Sequence, residues 1–579
     1  MHIRLENKEL ALLPILSKLL SEGIDLSKEE EVYFELEEGA YVSLPSKILK
    51  PILKTFYELL DRPNSEGFKL HRFEAQSMQN FEGENFCIED KTELKSLFEE
   101  MKSKPVLKTK PQGLKASLRG YQQEGVAWMQ FLRKYGFGGI LADDMGLGKT
   151  IQTLAHLQLE KEQGRLKRPT LIVAPTSLLA NWKKEAGKFT PDLRVALYYG
   201  NERRSILDNI NKYDLLVTSY TILALESDLL KKEKFYYLIL DEAQRIKNSR
   251  SVSAQASRVI QAQYFLALSG TPMENHLGEL HSIFETVMPG FLGSLKTFKS
   301  LYQTPIEKEH NRECQEKLNQ RIKPFMLRRT KDKVAKELPL KTEILRSVGF
   351  EAEQARLYET IRVSMEKKVR ETIKSMGLGK SHISILDALL KLRQVCCDPR
   401  LLKIEEAQKI QESAKLQMLM ELVEELREEK RRILIFSQFT SMLEIIEEQM
   451  INKEISYSKL TGSTLKREEQ IEKFNTGVTE VFLISLKAGG VGLNLTKADV
   501  VIHYDPWWNP AAQDQATDRA YRIGQDKPVF VYKLIIENSV EEKIVKMQEE
   551  KRALAEAIYE GKEQGFSTME EKELLELFK

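Results

Sequence analysis

Short, strongly apolar runs that alternate with helical stretches constrain the fold of this chain more than any other feature of its sequence. Five such runs occur between residues 115 and 325, and they read GGILA, TLIVAP, YDLLVTSY, YYLILD and YFLALSG. Strands this apolar must be buried on both faces, which is the situation of a parallel sheet covered by helices. A second set begins near residue 430 with RRILIFSQF, VFLIS, VVIHYD and VFVYKLI. The sequence therefore predicts two α/β units.

The stretches outside these two units have a different character. Residues 330–425 carry charged helical patterns such as EQARLYETIRVSMEKKVRETIKS, whose charged faces we expect to be solvated. Near the N-terminus, LLPILSKLLSEG and KTELKSLFEEMK are typical of short helices, and EVYFELEEG and AYVSLP of strands joined by a turn at Glu38–Gly39. The run KSKPVLKTKPQGLK, with its prolines and glycine, reads as a linker. We predict an accessory domain over 1–110, a first α/β unit over 111–325, a helical connector over 326–425 and a second α/β unit with a helical extension over 426–579.

The composition indicates which partners and which cell compartment suit this chain. Its 579 residues include 88 basic and 86 acidic ones, so the protein as a whole carries little net charge. A nucleic-acid backbone would therefore have to bind to a local cluster of basic residues. Four cysteines without metal-site spacing favour a reducing environment with no disulfides and no structural metal. No apolar run reaches 18 residues, and no signal-peptide pattern begins the sequence, so no membrane association is expected. We expect a cytoplasmic, nucleoid-associated protein in a prokaryote, or a nuclear one in a eukaryote.

Two stretches carry the glycine–lysine order of a phosphate-binding loop. In such a loop, glycines let backbone N–H groups approach the phosphates, the lysine neutralises charge and the hydroxyl residue holds magnesium. GGILADDMGLGKTIQTL, residues 138–154, has the required strand before the loop and helix after it. SMGLGKSH, residues 375–382, follows a charged helix, and we interpret it as a loop between two helices. Asp143 stands where the general pattern has its first glycine, so an ordinary strand-to-helix turn stays open for the first stretch.

Acidic and hydroxyl residues end two further apolar strands. YYLILDEAQ carries Asp241 and Glu242, of which one can reach the magnesium while its neighbour orients and deprotonates the attacking water. The alternative is that Asp241 simply caps the next helix, and this alternative is less plausible because a phosphate loop precedes Asp241 in the chain. LSGTP, residues 268–272, could sense the phosphate through its hydroxyls, but these are also common turn residues.

Taken in order, these segments resemble the Swi/Snf-type branch of the superfamily-two helicase-related ATPases. The resemblance spans about residues 117–550, and in the first unit it rests on LRGYQQEGVAWM, DDMGLGKT, TLIVAPTSLLANW, TSY, DEAQRIKN and LSGTPMENHLGEL. In the second unit it rests on ILIFSQFTSML, LTGSTLKREEQIEKFN, ISLKAGGVGLNLTKADVVIHYDPWWNPAAQDQATDRAYRIGQ and VYKLIIENSVEEKI. The segments FMLRRTKDKVAKELP and LLKLRQVCCDPRLL resemble the connector of this branch and separate it from ordinary RNA helicases. Asp143 is normal for the branch, whereas Gln244 stands where many members carry histidine.

The resemblance implies a fold, cofactors and a set of site residues. The fold is α/β, with two RecA-like parallel-sheet lobes, a helical connector between them and a small N-terminal accessory domain, and the cofactors are ATP and Mg²⁺. The implied catalytic residues are Lys149, Asp241, Glu242, Arg519 and Arg522. Thr150 and Asp241 would hold the metal. The nucleotide would contact Gln122, Asp144, Met145, Gly146, Leu147, Gly148, Lys149, Thr150, Gly490 and Gln515.

The second unit offers two arginines and two tryptophans as functional candidates. Arg519 and Arg522 are three residues apart, which in a helix puts both on one face. Arginine forks onto phosphate oxygens and stabilises the charge that develops during phosphoryl transfer. The alternative is a pair of surface salt bridges, each worth about 0–1 kcal/mol. Trp507 and Trp508 could stack on bases, but we expect them to pack in the interior.

The sequence therefore predicts an ATP-dependent translocase on double-stranded DNA that remodels or displaces DNA-bound proteins and acts as a monomer. Two lobes that each bind part of one strand's backbone, and that close on ATP and open after hydrolysis, would move along the nucleic acid. The alternative is a strand-separating DNA or RNA helicase. A scaffold with a decayed ATPase is disfavoured because the lysine, both carboxylates and both arginines are present.

Overall fold

The fold consists of two parallel β-sheets covered by helices, preceded by two small hairpins. The computed structural model describes residues 2–5, 8–11, 31–35, 41–45, 100, 106–273, 276–335, 337–376, 378–489 and 493–549. Its strands are β1 (His2–Leu5), β2 (Lys8–Ala11), β3 (Glu31–Glu35), β4 (Tyr41–Pro45), β5 (Gly139–Leu141), β6 (Thr170–Ala174), β7 (Val195–Leu197), β8 (Leu215–Ser219), β9 (Lys234–Asp241), β10 (Gln261–Leu268), β11 (Met326–Leu327), β12 (Lys341–Val348), β13 (Ile433–Ser437), β14 (Tyr457–Leu460), β15 (Val481–Ser485), β16 (Val500–His503) and β17 (Val529–Ile536).

The helices separate successive strands, as expected for parallel pairs that need crossover connections. They are α1 (Gly120–Tyr135), α2 (Lys149–Glu162), α3 (Leu179–Phe189), α4 (Arg204–Leu207), α5 (Tyr220–Leu225), α6 (Ser227–Leu230), α7 (Val252–Arg258), α8 (Leu277–Val287), α9 (Leu295–Phe298), α10 (Thr304–Glu307), α11 (Arg312–Ile322), α12 (Lys331–Val334), α13 (Ala352–Met376), α14 (Leu378–Cys397), α15 (Glu405–Lys409), α16 (Ala414–Glu428), α17 (Thr440–Asn452), α18 (Arg467–Thr476), α19 (Leu486–Gly489) and α20 (Pro510–Thr517). Within the described residues, no helix is both long and apolar enough to cross a bilayer.

The first sheet, with the helices packed on it, is called lobe 1 below. Its strand order is β11-β5-β10-β9-β6-β8-β7, and every pair is parallel. All residues of β5, β6 and β8 are buried, which confirms the two-faced burial predicted from their composition. Because β5, β10 and β9 are neighbours, the segments that follow their carboxyl ends meet at one edge of the sheet, where α/β proteins bind ligands.

The second sheet forms lobe 2 and has the strand order β12-β17-β16-β13-β15-β14, again with all pairs parallel. Strands β13, β15 and β16 are buried along their whole length. The predicted α/β class with two parallel-sheet lobes is therefore confirmed. Helices α13, α14 and α16 lie between β12 and β13, where the sequence predicted a charged helical stretch.

Four strands of the two parallel sheets were not predicted from the sequence, nor were β1 and β2 near the N-terminus. Strands β7 and β11 have three and two residues, which is too short for a recognisable pattern. Strand β12 was placed in the helical connector because KTEILRSV is charged, but it pairs with β17 as the mostly exposed edge strand of lobe 2. Strand β14 alternates between buried and half-buried residues and lies at the opposite edge of the same sheet. The chain over 326–348 thus supplies one strand to each sheet, and among its described residues only Lys331–Val334 form a helix, whereas a helical connector was expected.

The N-terminal hairpins are described only in their strands. Strand β3 pairs antiparallel with β4, as the alternating sequence predicted, and β1 pairs antiparallel with β2. The predicted turn at Glu38–Gly39 and the predicted helix over 12–23 lie outside the described residues, as does all but Glu100 of the predicted helix over 91–102.

Candidate active site between the two lobes

The phosphate-loop candidate at 138–154 has the predicted strand–loop–helix geometry. The loop leaves the carboxyl end of β5, and α2 begins at Lys149. Gly146 and Gly148 have φ angles of 87° and 80°, in the left-handed region that glycine adopts without steric cost. The first N–H groups of α2 therefore point toward the space above the loop, which suits an anion.

The second glycine–lysine stretch lies at the junction of α13 and α14. Helix α13 ends at Met376 and α14 begins at Leu378, so Gly379 and Lys380 are helical and do not form the loop expected there. No strand leads into this junction among the residues described around it. Only the stretch at 138–154 can therefore cradle a phosphate in the predicted way.

Lys149 lies over the phosphate loop, and Thr150 follows it in the first turn of α2. The Lys149 Nζ donates to the carbonyl of Asp143 at 2.6 Å and contacts the carbonyl of Asp144 at 3.4 Å. These carbonyls are neutral acceptors at the mouth of the loop. A phosphate oxygen at the same place is a charged and therefore stronger partner for the ammonium group.

Asp143, the departure from the general loop pattern, is a buried anchor for an arginine of the chain between the lobes. Its two carboxylate oxygens accept from Arg329 Nε at 2.8 Å and Arg329 Nη2 at 2.5 Å. Gln152 of α2 donates to the same carboxylate at 3.1 Å and accepts from the same guanidinium at 2.8 Å. Arg329 also donates to the carbonyl of Tyr121. A glycine at 143 could not hold this arginine, so the substitution ties the loop to the segment that leads to lobe 2.

We expect the Asp143–Arg329 pair to be a strong determinant of lobe 1 stability. Replacing Arg329 with methionine leaves a fully buried carboxylate without its charged partner, which should cost about 3–5 kcal/mol. Urea unfolding followed by the fluorescence of Trp128 and Trp182 measures this loss. The control is Arg370→Met, which breaks a partly exposed helical pair with Glu366 and should cost no more than about 1 kcal/mol. Equal losses for the two variants would contradict the assignment.

Gln122, which the resemblance implies as a nucleotide contact, lies against the phosphate loop. Its side-chain amide donates to the carbonyl of Leu147 at 3.1 Å and accepts from the backbone N–H of Arg119 at 2.9 Å. Tyr121 donates its hydroxyl to the same Leu147 carbonyl at 3.0 Å. The start of α1 is thereby fixed beside the phosphate loop.

Asp241 ends β9 beside the phosphate loop and accepts two hydrogen bonds. Trp182 of α3 donates its indole N–H to Oδ2 at 2.8 Å, and the backbone N–H of Glu242 donates to Oδ1 at 3.0 Å. Tyr220 fixes the same residue by donating its hydroxyl to the Asp241 carbonyl at 2.8 Å. Burial, and next the charge of Glu242, raise the pKa of Asp241 to about 7. A nearby cation would therefore strongly favour its ionised form.

Glu242 has a backbone conformation that only a constrained site retains. Its φ is 51° and its ψ is 55°, in the left-handed region, which costs a non-glycine residue about 1–3 kcal/mol. Gln244 donates to Glu242 Oε2 at 2.7 Å and accepts from Ser269 Oγ at 2.9 Å. Gln244 thus connects the acidic pair to the LSGTP segment, so glutamine can hold the position at which many members of the resembled family carry histidine.

The side chains of Arg519 and Arg522 reach lobe 1 from lobe 2. Arg519 Nη2 lies 3.9 Å from the Met145 sulfur, and a Cβ added to Gly146 would lie 2.8 Å from the Cβ of Arg522. Burial lowers the pKa of Arg519 to about 10, opposed by the attraction of Glu242, so its guanidinium stays charged at neutral pH. The two arginines and the phosphate loop therefore share one cleft.

The helical reasoning for these two arginines is wrong, although both side chains do lie against the phosphate loop. Helix α20 ends at Thr517, and Arg519 and Arg522 follow it in turns. The turn is stabilised by backbone hydrogen bonds such as that from Tyr521 N to the Thr517 carbonyl at 3.0 Å.

Two further residues of lobe 2 were predicted to contact the nucleotide. Gln515 is half-buried on α20, and Gly490 lies outside the described residues.

Trp507 and Trp508 pack in the protein, as expected, and do not form an open stacking platform. Both are half-buried, and the buried guanidinium of Arg393 lies 5.6 Å and 5.5 Å from their ring centres. Arg393 also lies 3.7 Å from the buried carboxylate of Asp505. These contacts attach α14 to lobe 2.

The residues at this edge of lobe 1 fit a magnesium ion. Each Asp241 oxygen accepts one hydrogen bond and keeps a further lone pair, and the Thr150 residue is half-buried in the first turn of α2. Within the described part of the chain, no three or more His, Cys, Asp or Glu side chains form a metal-binding group. Magnesium does not require such a group, because it binds through one or two carboxylates, water and the substrate's phosphates.

Sequence reasoning named the charged residues of the cleft but missed those that hold them in place. Arg329 and Lys331 lie in FMLRRTKDKVAKELP, and Trp182 lies in TLIVAPTSLLANW, two segments identified only by their resemblance. The signal that could have found Arg329 is the presence of Asp143 at a glycine position, since a buried acid requires a partner.

Known families match most of the chain. A model described as the SNF2-related domain matches residues 121–401, and one described as the helicase conserved C-terminal domain matches residues 414–524. The protein YwqA of Bacillus subtilis, named as an ATP-dependent helicase/translocase, is 38% identical over 98% of this chain and 64% of its own length. The Arabidopsis thaliana ISWI chromatin-remodeling complex ATPase CHR11 is 35% identical over 81% of this chain and 46% of its own length. The chain thus spans roughly half to two thirds of these relatives.

A solved structure is also similar in sequence. The Sulfolobus solfataricus SWI2/SNF2 ATPase core in complex with dsDNA is 39% identical, covering 78% of this chain and 95% of that one, with a TM-score of 0.41.

Proposed function

The chain belongs to the SNF2-related family of helicase-like ATPases, and from this premise we propose that it hydrolyses ATP in the cleft between its two lobes and moves along double-stranded DNA. One observation carries the proposal. Met145 and Gly146 of the phosphate loop contact Arg519 and Arg522, which come from the opposite lobe. A triphosphate on the loop would therefore meet positive charge from both halves of one chain, so a monomer can form a complete site.

The residues of lobe 1 have distinct roles in the proposed reaction. Lys149 and the N–H groups at the start of α2 hold the phosphates, and Thr150 and Asp241 hold the Mg²⁺ ion, which neutralises phosphate charge when bound. Glu242 orients the attacking water and accepts its proton. Its strained backbone and its bond to Gln244 fix the carboxylate for this task.

Arg519 and Arg522 complete the proposed site from lobe 2. A guanidinium can donate to the phosphate oxygens that gain charge in the transition state. Burial of Arg519 strengthens this interaction, because the dielectric constant around a buried group is low. Since the arginines act only when the lobes are together, hydrolysis is coupled to lobe closure.

Double-stranded DNA is the proposed track. A Sulfolobus relative that is 39% identical forms a complex with double-stranded DNA, and an Arabidopsis relative is a chromatin-remodeling ATPase. Lobes that alternate between closed and open states, each holding backbone phosphates, advance along a duplex without reading its sequence. Proteins bound to the DNA would be displaced or remodelled by this movement.

The proposal is tested by ATP hydrolysis with duplex DNA, single-stranded DNA and RNA at two salt concentrations. We expect the duplex to stimulate most, and its binding to weaken as salt rises because phosphate contacts release counterions. Equal rates with and without duplex would contradict the DNA-dependent part of the proposal. A fluorescent strand-displacement assay tests the alternative: strong unwinding of a plain duplex would favour a strand-separating helicase.

A further inference from the structure

The segment that follows β11 runs along the phosphate loop before it reaches lobe 2. The backbone N–H of Ala142 donates to the Leu327 carbonyl at 2.7 Å, and that of Asp144 to the Arg329 carbonyl at 3.0 Å. The backbone N–H of Lys331 then donates to the Asp144 carboxylate at 3.0 Å. The position of Lys331 is therefore set by the loop itself.

The side chain of Lys331 crosses to lobe 2. Its Nζ donates to Asp518 Oδ1 at 2.6 Å and to the backbone carbonyl of Tyr521, and it lies 5.1 Å from the centre of the Tyr521 ring. Lys331 is buried, with 5% of its surface exposed. A buried ammonium group with two acceptors is held much more firmly than an exposed one.

The two acceptors are the residues that directly precede the two arginines. Asp518 is followed by Arg519, and Tyr521 by Arg522. One ammonium group on the lobe 1 side of the cleft thus binds the residue before each arginine, through the side-chain carboxylate of Asp518 and the backbone carbonyl of Tyr521. Misplacing a catalytic group by about 1 Å can cost about 100-fold in rate, so such a fixed point matters for hydrolysis.

We propose that Lys331 is a positioning residue that sets the Asp518–Arg522 turn against the phosphate loop. This inference rests on the proposed function of the cleft. Lys331 acts through the arginines, because its ammonium group is bound to Asp518 and to the Tyr521 carbonyl. The contacts of Lys331 with Asp518 and Tyr521 break together when the lobes separate and form together when they close. Closure therefore places both arginines beside the phosphate loop in one step.

The test compares Lys331→Met with Lys333→Met, a control in the same short helix with an exposed side chain. For Lys331→Met we expect kcat of DNA-stimulated ATP hydrolysis to fall by about 10–100-fold, with KM for ATP little changed, because Lys149 and the loop are intact. The variant Lys331→Arg should recover part of the rate. Wild-type kcat in Lys331→Met, or a loss expressed mainly in KM, would overturn the proposal.

A second measurement does not depend on activity. Urea unfolding of Lys331→Met, Asp518→Asn and the double variant forms a double-mutant cycle. We expect the double variant to lose less stability than the two single variants added together, because it removes both partners of the ion pair and leaves neither charge unpaired. Additive losses of stability would show that the two side chains do not interact, and would contradict the proposal. If the wild-type protein proved unable to hydrolyse ATP while the cycle stayed non-additive, the proposed function would fail and the contact would stand.

Discussion

Lys149→Ala abolishes ATP hydrolysis, lowering the rate by at least about 100-fold, the cost of removing one preorganised donor from a reacting phosphate. The reason is local, because Lys149 is the loop's cation at the start of α2, with its ammonium 2.6 Å from the Asp143 carbonyl at the mouth of the loop. We also expect ATP affinity to fall, since the charge acts on the bound nucleotide as well as on the transition state. Release of phosphate and binding of a fluorescent ATP analogue measure the two effects.

Glu242→Gln is the matched control for this prediction. It keeps the size of the side chain and its acceptor for Gln244, but it removes the base that takes the proton from water. We expect hydrolysis to be lost and ATP binding to be kept, in contrast to Lys149→Ala. Hydrolysis that persists in both variants would refute the assignment of the site to this edge of lobe 1.

Replacing either arginine of lobe 2 with alanine has the second large effect. An arginine that stabilises the transition state of phosphoryl transfer contributes about 10³–10⁵-fold to the rate, so we expect a loss in that range for Arg519→Ala or Arg522→Ala. The contacts of these residues with Met145 and Gly146 place them beside the phosphate loop. Single-turnover hydrolysis at saturating ATP and duplex DNA measures the loss.

The control for the arginines is Arg370→Ala, whose side chain is about half exposed on α13, far from the cleft in sequence. Its removal should leave the hydrolysis rate unchanged. Arg522→Lys keeps the positive charge but not the planar fork, and we expect it to restore only part of the rate. Full activity in both Arg519→Ala and Arg522→Ala would show that lobe 2 does not contribute to hydrolysis.

The sequence predicted the charged residues of the cleft because each lies in a short local pattern. Lys149 stands between a buried strand and a helix, and Asp241 and Glu242 end another buried strand. Such patterns depend on neighbours along the chain, which the sequence displays directly. The two parallel sheets were predictable for the same reason, since most residues of their inner strands are apolar.

The contacts that hold those residues could not be predicted because they join distant parts of the chain. Asp143 and Arg329 are 186 residues apart, and Lys331 and Asp518 are 187 apart. Neither the hydrophobic periodicity of a segment nor the spacing of residues within a motif indicates which distant residues form such pairs. The position of Arg519 and Arg522 illustrates the limit, because a helical rationale indicated one shared face, whereas turns after α20 bring both side chains to the loop.

The most direct test of the account compares the affinity of the protein for ADP with its affinity for ADP and aluminium fluoride, a mimic of the transferred phosphoryl group. If Lys149 and both arginines meet around one triphosphate, the wild-type protein should bind the mimic about 100-fold or more tightly than ADP alone. Arg519→Ala and Arg522→Ala should then lose most of this gain while their affinity for ADP is little changed. A gain that is undiminished in both variants would show that lobe 2 does not act on the nucleotide held by lobe 1.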